Sequence, residues 1–231
     1  MKNIEIQKIL KALWLPVVIT IIMWLVKLTE VYLDQSFSRY GLYPRNLNGL
    51  RGILTAVFIH GDWKHLFNNS VPMVILGWSL FYFYKEVAWK VILWIVLMGG
   101  LWTWISARES FHIGASGLIY GLFSFLLLSG FIRRNKQVLS ISFLVAFLYG
   151  SLVWGLLPID YKMSWESHLW GFIAGSVLAF YYRKVGPQRE RHEWNEDEEE
   201  MMEQMDYWKK EKKKEPGFRI IFKKKDPNDQ A

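Results

Sequence analysis

The sequence predicts an all-α membrane protein, a bundle of six transmembrane helices followed by a charged tail. Three observations carry this. The chain has 231 residues, of which 52% are hydrophobic and 17% aromatic, more apolar surface than a soluble domain of this length needs. Its apolar residues fall into six stretches near twenty residues, the length of helix that crosses a bilayer. Hydrophobicity is also split along the chain. Residues 1–182 are apolar with scattered polar breaks and residues 183–231 are dominated by charge, so the mean hydropathy of +0.10 averages two unlike parts. Within hydrocarbon the backbone has to satisfy its own hydrogen bonds, so the spans are expected to be helices.

The first span, Leu13–Leu33, is interrupted near its end by Lys27 and Glu30. Spaced i, i+3, these can pair on one face or reach for the interface. The chain there reads Thr29-Glu30-Val31-Tyr32, with no small-residue cleavage site, so the segment reads as a retained anchor. The second span, Leu66–Tyr84, contains Pro72, which a bundle tolerates when neighbours satisfy the freed carbonyl. The remaining spans are Val87–Ile105, Ile113–Ile132, Val138–Leu157 and Met163–Tyr182.

Lysine and arginine near the span ends set the orientation. With the N-terminus inside, the inner side holds Lys2, Lys8, Lys11, Lys85, Lys90, Arg133, Arg134, Lys136, Arg183, Lys184, Arg189 and Arg191. The outer side holds Arg39, Arg45, Arg51, Lys64, Arg108 and Lys162. Twelve against six favours both termini in the cytoplasm, with the cell's inner membrane as the location. Spans two, four and six then all run inward from the outer face, and their first residues lie at one depth.

Polar groups gather at that depth. The second span opens His65-Leu66-Phe67-Asn68-Asn69, the fourth Gly114-Ala115-Ser116-Gly117, and the sixth Ser167-His168-Leu169-Trp170-Gly171. Polar residues inside a membrane are costly and mark function. Peptide hydrolysis needs a nucleophile, a base and donors for a developing oxyanion. Ser116 supplies a hydroxyl and His168 a base for it. His65 and Asn69, at i, i+4, share a helix face and can donate toward one point. Gly117 with Gly121, and Gly171 with Gly175, are small-xxx-small pairs that let helix backbones approach. His168, Gly171 and Gly175 form one stripe, and Ser116 and Tyr120 form another. Facing stripes bring His168 to Ser116, with Tyr120 one turn below.

The run Gly114-Ala115-Ser116-Gly117-Leu118-Ile119-Tyr120-Gly121 resembles the GxSGxxYG motif of rhomboid intramembrane serine proteases. His60-Gly61-Asp62-Trp63-Lys64-His65-Leu66-Phe67-Asn68-Asn69 is similar to their second-span motif, and Ser167-His168-Leu169-Trp170-Gly171-Phe172-Ile173-Ala174-Gly175 to their last-span HxxGxxxG. The likeness covers roughly residues 45–182, and three motifs on alternate spans are far more specific than one. It implies a six-helix rhomboid-like bundle and a Ser116–His168 dyad without a catalytic Asp. It further implies that Tyr120 orients the His168 ring and that the Ser116 N–H, His65 and Asn69 form the oxyanion hole. Substrates would be membrane proteins with a transmembrane segment, entering past the fifth span and the loop Pro158–Glu166. The family's usual Trp-Arg pair in the first outer loop is replaced by Leu50-Arg51-Gly52, so no role passes to Arg51.

The same residues admit other roles. An isolated Gly-x-Ser-Gly in a membrane helix is ordinarily a packing motif, and Asn69 and His65 could serve as interhelical glue. A rhomboid-like protein that binds membrane clients without cutting them is the runner-up, against which Ser116 and His168 are both present. A transporter would need an internal repeat or an unpaired midplane charge, and neither is evident. Zero cysteines exclude disulfides and thiolate chemistry, no His-Glu-x-x-His indicates a zinc site, and no span carries a central aspartate. No cofactor or metal is therefore expected. His60 and His112 read as loop residues with structural hydrogen bonds, because neither sits on a matching helical stripe. In the tail, Glu193–Glu200 is acidic, Lys209–Lys214 and Lys223–Lys225 are basic, and Phe218-Arg219-Ile220-Ile221-Phe222 lies between the basic runs. That pattern reads as a solvated cytoplasmic tail, with contact to the inner leaflet as the sharper alternative and no support for nucleic-acid binding beyond charge.

Overall fold

The computed structural model of the chain describes residues 2–134, 136–148, 155–159 and 163–187. The acidic and basic runs of the tail, and residues 149–154 of the expected fifth span, lie outside these. The described elements are α1 (Lys2–Tyr32), the short α2 (Gly52–Thr55), α3 (Trp63–Phe83), α4 (Ala88–Ser106), α5 (Ser116–Arg133), α6 (Lys136–Leu148) and α7 (Trp165–Tyr181). Short 3-10 turns occupy the long connection from α1 to α3. An antiparallel bridge between Leu42 and His112 joins that connection to the segment before α5.

Among the described residues, four helices are long and apolar enough to cross a membrane: α1 as Ile4–Tyr32, α3, α4 and α5. The expected six spans are thus matched in part. α7 has 17 residues and α6 has 13. At 1.5 Å per residue α7 reaches about 25 Å, short of the roughly 30 Å hydrocarbon core.

Helix boundaries depart from the hydropathy reading for local reasons. α1 begins at Lys2, well before Leu13, because its polar start is still helical, with Lys8 Nζ 2.7 Å from Glu5 at i, i+3. α3 begins at Trp63, before Leu66, because the Asp62 side chain accepts the His65 N–H at 2.8 Å. That bond holds the Asp62 carboxyl below the usual carboxylate range. α5 begins at Ser116, after Ile113, because Gly114 adopts a φ of +106°, which breaks the helical path and which a side chain would strain.

α5 is the central helix. It packs most extensively on α7 and also on α6, α3 and α4, while α1 lies on α3 and α4 lies on α7. Leu66, Met73, Leu76 and Leu80 of α3, Ile95 of α4, and Ile119, Leu122, Phe125 and Leu126 of α5 are fully buried. Trp14, Ile21, Leu25 and Leu28 of α1, with Trp89, Leu93 and Leu101 of α4, are exposed. A continuous apolar exterior of this kind is a liability in water and a match for lipid.

The α5–α7 contact is a backbone contact. A Cβ on Gly171 would collide with the carbonyl of Gly117, and one on Gly175 with the carbonyl of Gly121. Ser124 Oγ donates to the Phe172 carbonyl across the seam at 2.7 Å. Lys27 and Glu30 do pair, at 3.1 Å, with Glu30 buried and Lys27 partly buried. Lys27 Nζ also donates to the carbonyls of His60 (3.1 Å) and Gly61 (3.0 Å), and Glu30 accepts the Phe37 N–H at 2.6 Å. A buried charge is tolerable when it is paired and hydrogen-bonded in this way.

The seam makes a stability prediction. Gly171→Ala forces one backbone off another, and overpacking of this kind costs about 1–3 kcal/mol. Its thermal unfolding in detergent should move clearly downward. Gly61→Ala is the control: its Cβ would meet only Ile113 Cδ1, at 3.9 Å. That change should stay within about 0.5 kcal/mol.

Candidate active site

The N-terminal turns of α3, α5 and α7 converge. Ser116 is the first residue of α5 and His168 lies in the first turn of α7. His168 Nε2 is 2.7 Å from Ser116 Oγ. The other ring nitrogen, Nδ1, is 2.8 Å from the Gly155 carbonyl. A carbonyl can only accept, so Nδ1 carries the proton and Nε2 accepts from the serine hydroxyl. The Tyr120 ring stacks on His168, with centroids 4.3 Å apart and planes 11° from parallel. The ring is therefore fixed by a hydrogen bond at each nitrogen and an aromatic face.

His65 and Asn69 flank the turn that leads into Ser116. A Cβ on Gly114 would lie 2.6 Å from His65 Nε2 and 3.4 Å from Asn69 Nδ2. Only glycine admits both side chains this close to the backbone. Asn69 Nδ2 is buried and, among the described residues, makes no hydrogen bond. Buried donors are nearly always satisfied, so this one has capacity for an acceptor. α5 starts at Ser116, so its first N–H groups have no intrahelical acceptor either. All four residues singled out for chemistry thus come together, with Gly114, Gly117, Gly121, Gly171 and Gly175 at the points of closest backbone approach.

Two groups near Ser116 were not expected there. The Gly155 carbonyl orients the His168 ring, and a main-chain oxygen leaves no signal in sequence. His60 is 1% exposed and holds the turn before Ser116. Its Nδ1 faces the Phe58 carbonyl at 3.4 Å and its Nε2 accepts the Ala115 N–H at 3.4 Å. Burial drives its pKa down to about 4, so it stays neutral and can accept. The histidine-rich approach to α3 was the signal that could have pointed to it.

Ser116 is 9% exposed and His168 is 6% exposed, so the pair is closed over. A cavity of about 40 Å³ lies beside them, with Ile53, Val57, Ile95, Gly114, Gly117 and Ser167 in its wall. It is mostly apolar, and neither Ser116 nor His168 lines it.

The fold and this geometry define a helical membrane protein in which a serine hydroxyl meets a backbone-oriented histidine at helix N-termini. The chain is a member of the rhomboid family: the profile of the rhomboid domain matches residues 48–185. It is similar to uncharacterised proteins of Mycobacterium tuberculosis and Mycobacterium bovis, each 34% identical over 170 residues, covering 69% of this chain and 70% of the relative. A Mycobacterium leprae protein, also uncharacterised, is 32% identical over 173 residues, covering 69% of this chain and 66% of the relative.

The burial of His60 has a pH consequence. Unfolded, it titrates near 6.5; folded, near 4. Between those values the unfolded chain binds more protons, so stability falls as pH drops through the interval. Melting temperature in detergent should decline from pH 6.5 to pH 4. His60→Asn should make that decline shallower.

Proposed function

We propose that this chain is an intramembrane serine endopeptidase that cleaves transmembrane segments of membrane-protein substrates with a Ser116–His168 dyad. The 2.7 Å approach of His168 Nε2 to Ser116 Oγ, with Nδ1 committed to the Gly155 carbonyl, carries this reading. Membership of the rhomboid family supports it. That tautomer presents Nε2 as a base toward the hydroxyl, the arrangement that activates an otherwise weak nucleophile.

In this mechanism a stretch of substrate unwinds into the site from the outer side, after the closed helices part. Ser116 attacks the carbonyl carbon as His168 takes the hydroxyl proton. The tetrahedral oxyanion is stabilised by the Ser116 N–H, His65 and Asn69, the last contributing its uncommitted Nδ2. The imidazolium stays hydrogen-bonded to Gly155 and returns its proton to the leaving amine. Water, activated by the same ring, then hydrolyses the acyl-enzyme. Tyr120 keeps the ring in plane throughout. No cofactor enters the scheme.

The same reading assigns residues 1–182 to a six-span membrane domain, with α6 and the residues to Leu157 as the fifth span and α7 as the sixth. Residues 183–231 form a cytoplasmic tail. Both termini face the cytoplasm, and the cell's inner membrane is the location. Cysteine-accessibility labelling checks this: Asp160→Cys should react from outside and Glu190→Cys from inside. The opposite pattern reverses the orientation.

The decisive experiment incubates purified protein with a single-span substrate. Wild type should cut and Ser116→Ala should not, whereas a client-binding protein would retain substrate uncut in both forms. A donor used only in the transition state affects turnover more than affinity. Asn69→Ala should therefore lower kcat roughly 10²–10³-fold, with KM little changed. Full turnover with a lowered melting temperature would make Asn69 a packing residue and remove it from the oxyanion site.

A further inference from the structure

The dyad sits between two ties, and only one of them is the glycine seam. The seam begins at Gly117 and Gly171 and runs into the bundle. Ser116 is the first residue of its helix, where terminal turns are least constrained. On the other side of the dyad, the segments entering α5 and α7 are joined by side chains.

His112 lies four residues before Ser116, and Ser164 lies four residues before His168. His112 Nδ1 bonds Ser164 Oγ, just as His168 Nε2 bonds Ser116 Oγ. The same pair of segments is thus cross-linked twice, by a serine and a histidine in opposite order. His112 Nε2 faces the Arg108 carbonyl at 3.1 Å. That nitrogen carries the proton, and Nδ1 accepts the Ser164 hydroxyl. Burial lowers the His112 pKa, which favours this neutral form.

Both partners are committed to the contact. The His112 backbone is fixed by two bonds to Leu42, N–H to carbonyl at 2.8 Å and carbonyl to N–H at 3.0 Å. Ser164 stands at the N-cap of α7, yet its side chain caps nothing. A serine there ordinarily accepts a helix N–H; this one is turned to His112. A second tie runs alongside, with Arg108 Nε 3.6 Å from Glu166 Oε1 and the Arg108 N–H 3.4 Å from the same oxygen.

We propose that His112 and Ser164 form a clamp that presets the Ser116–His168 geometry, with His112 acting as a positioning residue that touches neither substrate nor reacting atoms. This rests on the protease reading above. Small displacements matter here, because a shift of about 1 Å in a reacting pair can cost roughly a hundredfold in rate.

The test uses the full chain in detergent and follows covalent labelling of Ser116 by a fluorophosphonate, with Ser116→Ala as blank. Ser164→Ala and His112→Ala should each slow labelling roughly tenfold to a hundredfold. The double variant should be no slower than the slower single, since both remove one contact. His112→Asn places an amide oxygen near the Nδ1 position and should recover most of the rate, which a loss of packing alone would not allow. Ser164→Ala should still melt as wild type does. Wild-type labelling that Ser164→Ala leaves unchanged, or singles whose effects multiply in the double variant, would overturn the clamp while the protease reading stands. A wild type labelled no faster than Ser116→Ala would overturn that reading and the clamp together.

Discussion

Two helix backbones touch along Gly117, Gly121, Gly171 and Gly175, and the pairing of Ser116 with His168 depends on that contact. In lipid there is no hydrophobic force to draw helices together, so packing and interhelical hydrogen bonds have to do it. The glycines remove the side chains that would hold α5 and α7 apart, and Ser124 adds a bond across the seam. Ser116 and His168 sit at the mouth of this seam. Their 2.7 Å separation follows from how closely the backbones run below them. The same contact explains why α5 is buried nearly all round and why its exposed counterparts are α1 and α4.

A second constraint is the satisfaction of polar groups in an apolar interior. The described polar residues are seldom left to themselves. His60 and His168 each use one ring nitrogen on a carbonyl and offer the other to the segment around Ser116. Arg133, buried at the far end of α5, donates to the carbonyls of Tyr182 and Val185 just beyond α7. Asn69 Nδ2 is one of six buried side-chain atoms without a hydrogen-bond partner among the described residues, and it lies beside Gly114 at the entrance to α5.

Much of this was legible in the sequence, for a physical reason. Glycine spacing and polar residues within apolar runs are direct records of helix contact and of sites where burial has to be justified. They bring Ser116, His168, His65, Asn69 and Tyr120 to one level. Helix limits were read less well, because hydropathy sees neither the cap at Asp62 nor the positive φ at Gly114. It also missed the polar start of α1. The Gly155 carbonyl was invisible, since every residue has a carbonyl and only the fold selects one. His60 and His112 were seen and set aside as loop residues. They are in loops, but loops anchored at the approach to Ser116, which stripe arguments on helices cannot detect.

The profile of the family starts at residue 48, yet a load path reaches the site from before it. Lys27 holds the carbonyls of His60 and Gly61, His60 holds Ala115, and Ala115 precedes Ser116. The first helix is thus a strut that braces machinery recognised without it. Family boundaries record which residues recur; they do not mark where mechanical support ends. A chain trimmed to residues 48–185 would keep Ser116, His168, His65 and Asn69 and lose the ammonium on which their scaffold leans.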